Sequence, residues 1–223
     1  STKKNADKNH QRNRPSANPR ETPMQIWIDN TQQSDATDLG DALEQARIHA
    51  ESSGRLIVDI LVDGQPATDE LFEDQPEGLG TINELRFTTA DTSALISETA
   101  HTAIESIELL KADQEAGAQQ IRAGELEDAM QTLQAIMEGW LAMRDVVNQI
   151  AQIAQIDIAT VKVGDEIGSD IVQSLSNALA EVRETLQNED WSSLGDVIEY
   201  DLSELAGKWA NLLQSLIQSV QTS

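Results

Sequence analysis

The chain has 223 residues, enough to bury a sizeable core, and its 39% apolar but only 3% aromatic content favours a lean helical interior over a β-sandwich. It has no cysteine, which excludes disulfide frameworks, thiolate metal sites and cysteine nucleophiles. Its net charge of −24 opposes nucleic acid and anionic membranes and favours basic proteins or cations as partners.

The charge is unevenly spread. Residues 1–23 hold six basic side chains (Lys3, Lys4, Lys8, Arg12, Arg14, Arg20) against Asp7 and Glu21, so the remaining 200 residues carry −28. This first segment has no apolar periodicity and reads as a disordered basic tail. It lacks the apolar stretch of a signal peptide, and nowhere does an apolar run reach the roughly 18 residues of a membrane span, so the expectation is a cytoplasmic protein.

A small α+β module is expected over residues 24–90. Met24 to Asp29 alternates apolar and polar, as a half-buried strand does. Thr37 or Asp38 can cap a helix from about Leu39 to Ser53, with Leu39, Ala42, Leu43, Ala46 and Ala50 on one face and Gly54 ending it. Leu56 to Val62 is a β-branched run and reads as the central strand, closed by an Asp63-Gly64 hairpin turn. A single helical turn is expected over Thr68–Glu73, and a further strand over Ile82–Thr89. The order β-α-β-β resembles β-grasp or split-βαβ modules at the level of element order.

From residue 91 to 223 everything reads as helix. Asp91 or Thr92 caps a first helix with Leu95, Ile96, Ala100, Ala103, Ile104, Ile107 and Leu110 inward, and Gly117 and Gly124 near its end. Leu126, Ala129, Leu133, Ile136, Trp140, Met143, Val147 and Ile150 are spaced by threes and fours, the seam of a left-handed helix pair. Asp157–Gly164 is the irregular crossover. A third helix uses Ile167, Ile171, Leu175, Leu179, Val182 and Leu186, and a fourth runs from Trp191 to Val220. The fold class expected is therefore α+β: a small β-α-β-β sheet module followed by a mainly antiparallel four-helix bundle.

Val62-Asp63-Gly64 after a strand, together with the helix carrying Asp190-Trp191-Ser192-Ser193-Leu194-Gly195-Asp196-Val197-Ile198-Glu199-Tyr200-Asp201-Leu202, resembles a group of bacterial proteins. These join a small α+β module to a C-terminal helical region. The resemblance implies that architecture and a bacterial-type cytoplasmic origin, and no activity comes with it.

Signals of chemistry are few. Glu98 and His101 have the Glu-x-x-His spacing of carboxylate-bridged iron sites, but those need two such pairs and the chain supplies one. Gly78-Leu79-Gly80 precedes a strand instead of a helix, so it does not match a phosphate-binding turn. No serine lies in a Gly-x-Ser-x-Gly context. No catalytic, cofactor or metal residue is assigned. Tyr200, the only tyrosine, lies off the main apolar stripe between Glu199 and Asp201, and Trp191 opens the same helix. Such side chains anchor interfaces because they bury large area at low entropy cost. The leading expectation is a non-enzymatic, acidic protein-interaction module, an adaptor or chaperone-like protein, whose partner-binding residues are Tyr200, Trp191, Glu199 and Asp201 and whose partner is another protein, basic in character. The alternatives are a metal-dependent or hydrolytic enzyme using acids of the helical region, and a self-assembling structural protein, a homo-oligomer built on the Leu126–Ile150 seam.

Overall fold

The computed structural model describes residues 24–67 and 82–221; the basic tail, the turn expected at Thr68–Glu73 and Gly78–Gly80 lie outside them. The chain divides into two compact units, one reaching Ser53 and resuming over Ile57–Thr89, the other comprising Gly54–Leu56 and everything from Ala90.

The first unit is a mixed sheet with one helix. Its strands are β1 (Gln25–Ile28), β2 (Thr31–Gln32), β3 (Arg55–Val62), β4 (Gln65–Pro66) and β5 (Glu84–Asp91), and its helix is α1 (Leu39–Ser52). Two tight turns set the hairpins. Asp29 and Asn30 both have positive φ between β1 and β2, and Asp63 and Gly64 do the same between β3 and β4, as expected for Asp-Gly. The spatial order is β2-β1-β5-β3-β4. β1 and β5 run parallel. Asp63 N–H donates to the Glu84 carbonyl at 2.9 Å, joining the end of β3 to the start of β5, so that pair runs antiparallel.

The central strand is thus β5, and the expectation that Leu56–Val62 fills that place is corrected. β5 buries Leu85, Phe87 and Thr89 on one face, whereas every residue of β3 is at least partly exposed and Val58 is 50% exposed. A β-branched run reports a strand well but does not report its position in the sheet. The sheet core joins Ile26, Ile28, Leu85 and Phe87 to Ala42 and Ala46 of α1. Alanine at those helix positions lets α1 lie close to the strands. Asp38 caps the helix by accepting from Asp41 N–H at 2.9 Å.

The second unit is built from long amphipathic helices: α2 (Thr92–Ala123), α3 (Leu126–Ala154) and α4 (Gly168–Gln187). A last helix follows in three parts, α5 (Trp191–Asp196), a π turn (Val197–Asp201) and α6 (Leu202–Gln221). Backbone angles at Asp196, Val197 and Leu202 are all right-handed helical, so the three parts are continuous. Asp91 caps α2 through Ala94 N–H at 2.8 Å. Gly124, at φ 74°, ends it with paired bonds from Gly124 N–H to Ile121 O and from Glu125 N–H to Gln120 O. Gly117 lies in α2 less than two turns before its end. It is buried, and a Cβ there would come within 3.3 Å of Thr132. A Cβ on Gly139 would come within 2.8 Å of Leu110. These two glycines bring α2 and α3 together as an antiparallel pair.

The heptad seam of α3 buries Ala129 through Ile150, and only Leu126, 37% exposed at the first turn, falls outside. Because the seam closes on α2 within the same chain, the observation that motivated self-assembly through it is already used. The close backbone approaches run from α3 to α2, from α2 to α6 and from α6 to α4. Between α3 and α6 the space is filled by side chains: Trp140 and Trp209 meet edge to face with ring centroids 5.8 Å apart. The crossover contains a 3₁₀ turn (Ile158–Thr160) and a hairpin of β6 (Lys162–Val163) and β7 (Glu166–Ile167).

Candidate functional site

The π turn carries three of the four residues singled out from the sequence. Its origin is legible in the core spacing. Leu194, Ile198 and Leu202 are separated by two successive fours before Leu205, Trp209 and Leu212 resume the alternation, and all six are buried. An extra residue between two helical stretches of fixed register is absorbed by a wider turn, a feature frequent at functional sites.

The turn sends its successive side chains in different directions. Glu199 forms an ion pair with Arg122 at the end of α2. Tyr200 is 61% exposed. Asp201 borders a shallow hollow of about 280 Å³ between α4 and α6, with Ser174, Asn177, Glu181 and Glu204 around it and Ala178 and Leu205 as its apolar lining. Lys208, also at this hollow, hydrogen-bonds Glu166 and Glu204, and these bonds push its ammonium above the ordinary lysine range. Trp191 is separate from this group. It is half-buried against the helical core and stands nine positions, about 13 Å of helical rise, before Tyr200. Glu199, Tyr200 and Asp201 are thus neighbours along the turn whose side chains meet different surroundings, and Trp191 packs against the helical core apart from them.

A family described as a domain of unknown function, DUF8042, matches residues 98–212, slightly more than half of the chain. The chain belongs to the DUF8042 family. No curated protein and no solved structure matches it. The DUF8042 match begins in α2 and ends in α6, so it covers the helical unit with its π turn and leaves the sheet unit outside.

Elsewhere on this DUF8042 chain, His101 is exposed with Nδ1 2.6 Å from the Ser97 carbonyl oxygen, and Glu98 is exposed as well. Among the described residues no three His, Asp or Glu side chains are grouped to hold a metal ion, and no helix is long and apolar enough to cross a membrane. Sequence reasoning missed Arg122, because its partner lies 77 positions away. It also missed Gln114, 1% exposed in α2, whose amide N and O have no hydrogen-bond partner among the described residues.

The helix bearing the turn starts at Asp190, whose carboxylate accepts from Ser193 N–H at 3.1 Å and from Ser193 Oγ–H at 2.8 Å. The backbone bond first, then the hydroxyl, holds this carboxyl below the ordinary aspartate range. A lowered native value makes Asp190 stabilising above the ordinary carboxylate range, with that contribution lost as pH falls through the native value. Asp190→Asn keeps a capping oxygen but removes the titration. The stability gap between wild type and variant, followed by urea unfolding from neutral pH into the acid range, is expected to narrow as pH falls. Parallel curves would show that the cap charge contributes nothing.

Proposed function

We propose that this protein is a non-enzymatic, acidic interaction module, an adaptor or chaperone-like protein of the bacterial-type cytoplasm, that docks a basic protein on the Glu199-Tyr200-Asp201 surface. The helices carrying that surface are read as a mainly antiparallel four-helix bundle, with a β-grasp-like module beside it in sequence. The observation that carries the docking reading is Tyr200: an aromatic side chain 61% exposed, on a π turn, between two carboxylates. Its ring supplies apolar area and Asp201 supplies charge for a lysine or arginine segment, while Glu199 is held by Arg122. The −28 of the chain beyond the tail steers such a partner from a distance and does so less as salt rises.

The test compares wild type with Tyr200→Ala as bait in native lysate at low and moderate salt, followed by titration of the captured basic protein. Tyr200→Ala is expected to weaken binding by about 1–2 kcal/mol, with circular dichroism unchanged. Equal affinity for the two baits would remove Tyr200 from the site, and capture insensitive to salt would remove the electrostatic part of the reading.

A further inference from the structure

The π turn holds one residue more than an α-helical path between the same two ends, and Leu202 N–H accordingly reaches back five positions to the Val197 carbonyl. The stretches on either side have fixed registers. Leu194, Val197 and Ile198 are buried before the extra residue, and Leu202, Leu205 and Trp209 after it. Between them stand Glu199, Tyr200 and Asp201, none of which is buried in the core. Core packing therefore does not decide at which of these three positions the helix widens. Widening directly after Ile198 would give all three the register of α6, and widening directly before Leu202 would give them that of α5. The two registers differ by one residue, a rotation of roughly 100° about the helix axis. A rotation of that size re-aims Tyr200 and carries Glu199 away from α2.

We propose that Arg122 makes this choice and is a positioning residue for the docking surface, holding Glu199 against α2 so that Tyr200 faces solvent. Arg122 Nη1 donates to Glu199 Oε1 at 3.2 Å, and among the described residues this is the one ion pair that joins the π turn to another helix. Arg122 extends from a fixed base. It stands in the last turn of α2, where a cation suits the helix C-terminus, and Gly124 closes that helix two residues on. Ile121 beside it is buried, and a Cβ on Gly195 would come within 3.7 Å of Ile121. The end of α2 thus meets the last helix at Gly195 and again one turn later at Glu199. The Arg122 side chain is 46% exposed and that of Glu199 26%, so solvent screens the pair and its hold is modest. A modest hold suffices, because the alternatives differ only in how three polar residues face. Its consequence for binding rests on the docking reading of Tyr200; the hold on the turn does not.

Amide hydrogen exchange over Val197–Leu202 in the full chain, with no partner present, reads that hold directly. Arg122→Gln and Glu199→Gln are each expected to speed exchange there about two- to fivefold, the range a solvent-screened ion pair supplies, and Arg122→Lys by less. Either single variant serves where the other does not fold by circular dichroism. The reversed pair, Arg122→Glu with Glu199→Arg, is expected to restore most of the protection, which a general loss of stability would not do. Titration with a labelled oligolysine peptide then separates position from charge. By charge alone, Arg122→Gln removes a cation and tightens binding, whereas Glu199→Gln removes an anion and weakens it. By position, both variants weaken it. Opposite signs in binding, or wild-type exchange rates in both single variants, overturn the proposal. Faster exchange, with an oligolysine affinity that neither these variants nor Tyr200→Ala change, keeps the hold of Arg122 on the turn and removes the docking reading instead.

Discussion

Trp209→Ala is expected to remove about 3–5 kcal/mol of stability, the loss typical of truncating a large buried aromatic whose site cannot collapse. Trp209 and Trp140 are both fully buried and meet edge to face at an interplanar angle of 72°. Between α3 and α6 these rings take the place of close backbone approach, so the space left by one of them has no helix ready to move into it. Trp209→Phe is expected to cost much less. It keeps an aromatic edge for Trp140 and deletes an indole N–H that has no partner among the described residues. Urea unfolding by circular dichroism separates the two variants. An alanine variant within 1 kcal/mol of wild type would mean that the helices can close over the gap, and that the tryptophan pair is not what spaces them.

The helices were legible because their periodicity and caps are local. The seam from Ala129 to Ile150 is buried as its spacing implies, and the aspartates that cap α1, α2 and α5 stand where the apolar patterns begin. The hairpin turn at Asp63-Gly64 was legible for the same reason. Asp29-Asn30 was not read as a turn, because a first residue with φ 47° is tolerated by aspartate without being demanded by it. The place of β5 in the sheet depends on pairing with strands about 60 and 20 residues earlier, which no local pattern encodes. At the candidate site, the exposure of Tyr200 follows from its position off the apolar stripe. The π turn was present in the sequence as two successive spacings of four, but a straight helix can absorb that pattern too. Trp191 reads from the sequence as an interface anchor. Its half-buried position beside the core follows from the chain path through Asn188–Asp190, where Glu189 takes a positive φ.

Gln114 is where the local rules and the structure conflict most, and replacing it with leucine is expected to stabilise the protein by about 1–3 kcal/mol. The residue falls between Leu110 and Gly117 on the buried stripe of α2 and is 1% exposed, so its amide has given up water. Nothing among the described residues repays the loss, since both Nε2 and Oε1 are without a partner. Leucine is close to glutamine in volume and brings no polar atom, so the exchange removes the desolvation cost without opening a cavity. Gln114→Ala is expected to gain little or lose stability, because relief of the amide is offset by an empty volume. Gln114→Glu is expected to be strongly destabilising at neutral pH and partly rescued in acid, where the buried carboxyl is neutral. Urea midpoints for the three variants test the set together. Destabilisation by leucine would show that the amide is satisfied in solution, and would turn Gln114 from a cost of the fold into one of the contacts that specify how α2 meets its neighbours.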